Sequence, residues 1–287
     1  LWWSGDDISM VPFRPLAAFT HWIDYTFFGD QLWLHQLHSL LYFLLLTWLL
    51  YRVYRVTIET DNTPETDNTS ERTFLLATAS LATLLFIVDF SLTRSFAWVV
   101  ARNSYLACAI GIASLLCFIR WRREQHAGFL LLSLLLFVLA LLTAEAALAV
   151  AAYMGAWVLC IEKQSLPRKV LPLLPVIAVI LLWRGAYDAG GFGALNIGQY
   201  VDPGRSPKDF LLNFVSVFPL IAFSQISGID TLIMYVHPQQ QWQLVALGWL
   251  VAIGGVWLIW PLLKANASDR FWFVGSLVAA IPGTALI

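Results

Sequence analysis

The sequence predicts an all-α fold: a polytopic bundle of transmembrane helices with juxtamembrane helices in its first outer loop. Three observations point there. Hydrophobic residues fill 59% of the 287 positions, charged residues only 12%, and mean hydropathy is +0.72, a composition that no ordinary water-soluble domain carries. Apolar runs long enough to cross about 30 Å of hydrocarbon recur along the whole chain. Lysine and arginine concentrate in alternate connections, the asymmetry that orients membrane helices.

Taken in order, 1–35 reads as an outer loop with interfacial helices. Pro15 pins the local backbone, and Leu16, Phe19, Ile23 and Phe27 follow at near-helical spacing, the stripe of a helix lying on the membrane surface. Arg14 just before it serves such anchoring, or touches substrate. About six spans fill 36–184, near 36–54, 73–90, 104–119, 128–143, 146–161 and 170–184. A second outer loop covers 185–211, and about three further spans near 212–233, 242–263 and 271–287 complete 212–287. The run at 212–233 holds Asn213, Gln225 and Asp230, as a re-entrant or cavity-lining segment would. The whole of 1–287 reads as one domain. It opens on Leu1 and stops at Ile287 inside an apolar segment, as a piece of a longer chain lacking an earlier span and a tail would.

Arg52, Arg55 and Arg72 flank the connection after the first span, Arg120, Arg122 and Arg123 the next such connection, and Lys163, Arg168 and Lys169 a third. These loops are assigned to the cytoplasm. The first carries TDNTPETDNTSE over 60–71, a near-repeat without apolar anchors that reads as a disordered loop. A net charge of −1 gives no bulk attraction for nucleic acid, so function has to rest on local charge. Cys108, Cys117 and Cys160 lie in apolar runs and read as small buried hydrophobes, without disulfide or metal-type spacing.

The opposite face collects acids and arginines. Asp6 and Asp7 are adjacent carboxylates that raise one another's pKa, which suits a general base. Glu145 sits in LLTAEAALAV with apolar neighbours on both sides, where an ionised carboxylate needs a partner or a cavity. Gln31, His35, His38 and Tyr42 recur at helical spacing and share one face leading into the first span. That face can pack by hydrogen bonds or line a polar substrate cavity; a zinc site from His35, His38 and His21 competes with both. In the long outer loop Arg184, Tyr187, Tyr200, Asp202 and Arg205 are able to bind a phosphate or a sugar, while Asp202-Pro203-Gly204 also fits simple turn chemistry. Its glycines lack the context of a nucleotide fingerprint. No cofactor is called for, and a divalent metal is left open.

Several stretches carry a family resemblance. FRPLAAFTHWIDYTFFG through WLHQLHSLLYFLLLTWLLYRVYR resembles the first outer loop and following span of polytopic GT-C glycosyltransferases, and is especially similar to their bacterial and tetratricopeptide-bearing O-mannosyltransferase-like branch. FAWVVARNSYLACAIGIASLLCFIRWRR resembles the branch's outer segment ending in an arginine, with Arg102 at that place. LLTAEAALAV is similar to its threonine-or-serine, lysine, glutamate motif at Thr143 and Glu145, and GGFGALNIGQYVDPGRSPKDFL to a loop of bacterial members. Ala144 stands where the family has lysine, and Ser91-Leu92 where it has a histidine-proline pair.

The resemblance implies a polyprenyl-phosphate sugar donor, a protein or glycan acceptor, and inverting transfer outside the cytoplasm of a bacterial inner membrane. Its base, the acid of the first outer loop, falls on Asp6 or Asp7, and its phosphate-holding arginines on Arg102 and Arg205. Two other classes compete: a transporter or flippase for a lipid-linked or small anionic substrate, and a non-catalytic membrane protein. Transporters place charges at mid-membrane among internal repeats, whereas these charges cluster at one face.

The sidedness has a direct test. A cysteine introduced by Thr66→Cys should react with a membrane-impermeant maleimide only from the cytoplasmic side, and one introduced by Asp188→Cys only from the other. Labelling of both from one side would overturn the topology.

Overall fold

The computed structural model describes residues 9–11, 13–61, 69–89, 102–195, 201–204, 206–227 and 241–285. A short strand β1 (Ser9–Val11) leads into α1 (Pro15–Phe28). Pro15 occupies the first turn, where its missing N–H is no loss. Gly29, at a φ of +52°, ends the helix in a conformation that side chains with a Cβ rarely adopt. The chain then turns into α2 (Leu32–Asp61) and, beyond 62–68, α3 (Thr69–Ile87).

Next come α4 (Arg102–Glu124) and α5 (Ala127–Leu141), joined by a tight turn in which His126 Nδ1 accepts from the Gly128 amide. A 3₁₀ turn (Glu145–Ala147) opens α6 (Leu148–Ala156), whose last turn widens into a π-helix over Trp157–Ile161. Pro167, Pro172 and Pro175 divide the following rod into α7 (Leu166–Val170), a 3₁₀ turn and α8 (Leu174–Ala189), with a proline in the first turn of each piece. Strand β2 (Gly193–Leu195) follows, then α9 (Pro207–Ser227), α10 (Gln241–Ala265), α11 (Ala267–Ala280) and a final 3₁₀ turn over Ile281–Ala285.

The protein is therefore an all-α, multi-pass membrane protein. Among the described residues five helices are long and apolar enough to cross a bilayer: Leu32–Thr60, Arg102–Glu124, Pro167–Ala189, Pro207–Ser224 and Trp242–Ala265. Arg72–Ile87, Ala127–Leu141 and Glu145–Ile161 are shorter apolar helices. Helix fills most of the described part of each expected span, with one addition to the all-α expectation: β1 and β2 pair antiparallel, Ser9 opposite Leu195 and Val11 opposite Gly193. The expected break in 212–233 is absent as far as Ser227, where α9 stays helical through an internal Pro219; Asp230 lies outside the described residues.

Packing centres on α4, α5, α6 and α11, where Phe118, Phe137, Leu141, Met154, Val158 and Phe271 are fully buried. Ser114 and Ser133 donate reciprocally to each other's carbonyl at 2.7 and 2.9 Å, fastening α4 to α5 in surroundings that offer little other polar company. Gly275 lets α11 press against α6, since a Cβ there would stand 2.4 Å from the Tyr153 ring. A second apolar cluster of Leu46, Leu49, Tyr105 and Ala109 joins α2 to α4.

Charge sorts to two ends of this bundle. At one end Arg122 makes a two-pronged pair with Glu162 at 2.7 Å, Arg123 donates to Val56 O and Thr60 Oγ1, and Lys169 donates to Leu159 O. At the other stand α1, the start of α4, the 3₁₀ turn at Glu145 and the end of α8. Gly275→Val should lower the stability of the purified protein by about 1–3 kcal/mol through overpacking. A denaturant or thermal midpoint equal to wild type would show that the α6–α11 contact is looser than described.

Candidate functional site

α1 is polar towards the protein and aromatic towards its surroundings. Ala17, Thr20 and Asp24 are buried, while Phe19, Trp22, Tyr25 and Phe27 are more than half exposed. The expected stripe of Leu16, Phe19, Ile23 and Phe27 thus flanks an inward face that carries the charge. On that face Asp24 is completely buried, and so is Arg102, the first described residue of α4. The two form a direct ion pair through Arg102 Nη1 and Asp24 Oδ2.

Histidines fill the remaining valences. His38 Nδ1 lies 2.5 Å from Asp24 Oδ1, His21 Nδ1 lies 2.9 Å from Arg102 Nη2, and His35 Nε2 lies 3.0 Å from the carbonyl of Gly29. The partners settle the proton positions. An ionised carboxylate only accepts, so His38 carries its proton on Nδ1; a guanidinium only donates, so His21 Nδ1 is bare; a carbonyl only accepts, so His35 is protonated on Nε2. His35 Nδ1 stands 3.6 Å from Asp24 Oδ2, beyond a hydrogen bond. Phe28 packs edge-on to His35 and His38, and Tyr42 lies against His38 with ring centroids 4.5 Å apart.

Burial opposes the charged form of Asp24, but hydrogen bonds and charge from Arg102 and His38 outweigh it and hold the carboxyl below its ordinary range. Burial, seconded by the Arg102 charge, pushes His21 below its ordinary value, so it is neutral at pH 7. One polar atom in the cluster lacks a partner among the described residues: Nε of Arg102.

A second polar chain lies at the same end. Arg14 binds Glu145 at 2.7 Å, Tyr187 Oη donates to Glu145 Oε1 at 3.4 Å, and Arg184 spans Asp188 at 2.9 Å and Asp202 at 2.7 Å. Asp202 also accepts from the Gly204 amide, the turn its Pro-Gly sequel suggested. The Leu16 amide donates to Leu142 O, docking the start of α1 on the end of α5. The two groups are separated by ten residues of α1, about 15 Å of helix.

The structure therefore gathers His35, His38 and Arg102 into one cluster, and Arg14, Glu145 and Asp202 into the other. Asp6, Asp7, Tyr200 and Arg205 lie outside the described residues. The zinc arrangement of His21, His35 and His38 is not formed: among the described residues no group of three His, Cys, Asp or Glu side chains could hold a metal. Asp24 was not singled out from the sequence. The available signal was His21 and Asp24 three residues apart on one face of an otherwise aromatic helix. Compared with family models, curated proteins and solved structures, the chain matches none.

Two measurements follow. Asp24→Asn should destabilise the protein by about 3–5 kcal/mol because Arg102 is left buried and unpaired; the double variant Asp24→Leu with Arg102→Leu should recover much of that, and purely additive losses would deny the pairing. On acidification the unfolded chain takes up protons before the folded one, so stability present at neutral pH is lost in two stages. The first begins as pH falls below 6.5, through His21, and the second as it falls below 3.8, through Asp24. His21→Gln should remove the first stage from a plot of thermal midpoint against pH and keep the second.

Proposed function

We propose that this protein is a membrane glycosyltransferase that moves a sugar from a polyprenyl-phosphate carrier to an acceptor hydroxyl on a protein or glycan, at the non-cytoplasmic face of a bacterial inner membrane. One observation carries the reading: acid, arginine and histidine are gathered at a single end of the bundle, beneath a helix that turns its aromatic rings outwards. Such a location meets a donor whose polyprenyl chain stays in the bilayer while its phosphate and sugar stand at the surface. A carboxylate or histidine there can take the hydroxyl proton, and arginines can hold the phosphate that leaves.

In this reading Asp6 and Asp7 are the base candidates that the family resemblance supplies, directly upstream of β1 in the chain. β1, which follows them in the chain, is laddered to β2, ahead of the turn that carries Asp202. A transporter would instead keep its charges near the bilayer midplane. The ion pairs among the described residues lie towards helix ends, which favours chemistry at a surface over passage through the middle.

The test is sugar transfer by the full chain in membranes supplied with radiolabelled polyprenyl-phosphate sugars. Wild type should release label from the lipid, and Asp6→Asn and Asp7→Asn test the base candidates of the resemblance: the variant that loses the base should fall about 10²-fold or more in turnover while the protein still inserts. Absence of transfer from a broad donor panel would remove the transferase reading. Turnover indifferent to both aspartates would remove the resemblance's choice of base, and indifference to Arg102→Ala as well would remove this end of the bundle from the mechanism.

A further inference from the structure

Among the three histidines of the buried cluster, two have no free lone pair to offer. His21 uses its bare Nδ1 to accept from Arg102, and its pKa is lowered. His35 is 4% exposed, donates through Nε2 to Gly29 O, and has Nδ1 turned inwards to the Asp24 carboxylate, 3.6 Å away. His38 differs on each count. Its Nδ1–H is given to Asp24 Oδ1, which leaves the lone pair on Nε2, at the other side of the ring, and its side chain is 20% exposed.

A carboxylate behind Nδ1 fixes the tautomer and stabilises the imidazolium that forms when Nε2 takes a proton. Asp24 is suited to that task because Arg102 keeps it ionised and Phe28 and Tyr42 hold the imidazole ring. We propose that His38, oriented by Asp24, is the general base that removes the proton from the acceptor hydroxyl. Asp24 is a positioning residue and does not itself accept that proton.

The proposal rests on the transferase reading and places the base at His38 rather than at Asp6 or Asp7. The acceptor O–H proton passes to His38 Nε2 as the oxygen attacks the anomeric carbon. The bond from that carbon to the donor's phosphate oxygen breaks, the polyprenyl phosphate leaves with the electron pair, and His38 returns its proton to water. The charged and titratable groups facing His38 are Asp24 and His21 from α1, His35 and Tyr42 from its own helix, and Arg102 from α4.

Two experiments on the full chain in lipid nanodiscs test this. In the first, wild-type protein is treated with diethyl pyrocarbonate, which acylates bare imidazole nitrogens, and each histidine is followed by mass spectrometry. His38 should be modified roughly tenfold or more faster than His35, because its Nε2 lone pair is bare and its ring is the more exposed. A His38 no faster than His35 overturns the proposal without touching the transferase reading.

In the second, transfer is measured for His38→Gln. Its kcat should fall about 10²–10⁴-fold with KM little changed, and the acid limb of the kcat profile should vanish. Imidazole added to His38→Ala should restore part of the rate. If transfer proceeds in His38→Gln with wild-type rate and pH profile, the base lies elsewhere and the transferase reading survives. If no donor turns over in wild type, both readings fall together.

Discussion

Everything at this end of the molecule depends on burying one opposite-charge pair. Removing a carboxylate and a guanidinium from water costs several kcal/mol for each, and their attraction returns it only when geometry and further hydrogen bonds are complete. Asp24 and Arg102, 78 residues apart, satisfy that condition through His38 on one carboxylate oxygen and His21 on one guanidinium nitrogen. The requirement dictates local structure. α1 has to turn its polar face inwards, α2 has to follow closely on Gly29 so that His35 and His38 arrive beside Asp24, and α4 has to bring Arg102 to the same point. The cluster of Leu46, Leu49, Tyr105 and Ala109 then seals α2 against α4 below the pair.

The second polar chain solves a milder problem. Arg14 and Glu145 are 37% and 26% exposed, so water shares the work of solvating them. What this chain adds is connection. Arg14 to Glu145 joins α1 to the turn before α6, Leu16 to Leu142 joins α1 to α5, and the β1–β2 ladder joins the strand before α1 to the stretch after α8. Elements distant in sequence are thereby fastened around the buried cluster without burying further charge.

Much of this was legible in the sequence for a physical reason: a bilayer demands long apolar runs whose backbone is satisfied within each helix, so composition alone locates them. The prolines near 167–175 and the glycine at 29 punctuate helices through local geometry, which also reads locally. Arg102, His35 and His38 stood out because charge and imidazole are rare in such a chain. Asp24 did not, since its importance comes from a partner on another helix. The β ladder was invisible for the same reason, being three residues of pairing between distant loops. Arg102 was noticed as a phosphate holder, but its neutralisation by Asp24 depends on tertiary contact alone.

That neutralisation constrains any chemistry with phosphate. The arginines described at this end are each matched to a carboxylate: Arg14 to Glu145, Arg102 to Asp24, and Arg184 to Asp188 and Asp202. A lipid phosphate gains negative charge as its bond to the sugar breaks, and cations already paired can stabilise that charge only by giving up their partners. Arg102 is the least able to do so, because releasing it would leave Asp24 charged and buried. Arg14 and Arg184 are partly hydrated and exchange partners at lower cost. The two clusters therefore suit different tasks under the transferase reading. The buried one, closed around Asp24, fits proton transfer through His38, while the more exposed one can exchange partners through water as phosphate capture and release require. A division of that kind places the leaving group towards Glu145 and the attacking hydroxyl towards His38, on opposite ends of α1.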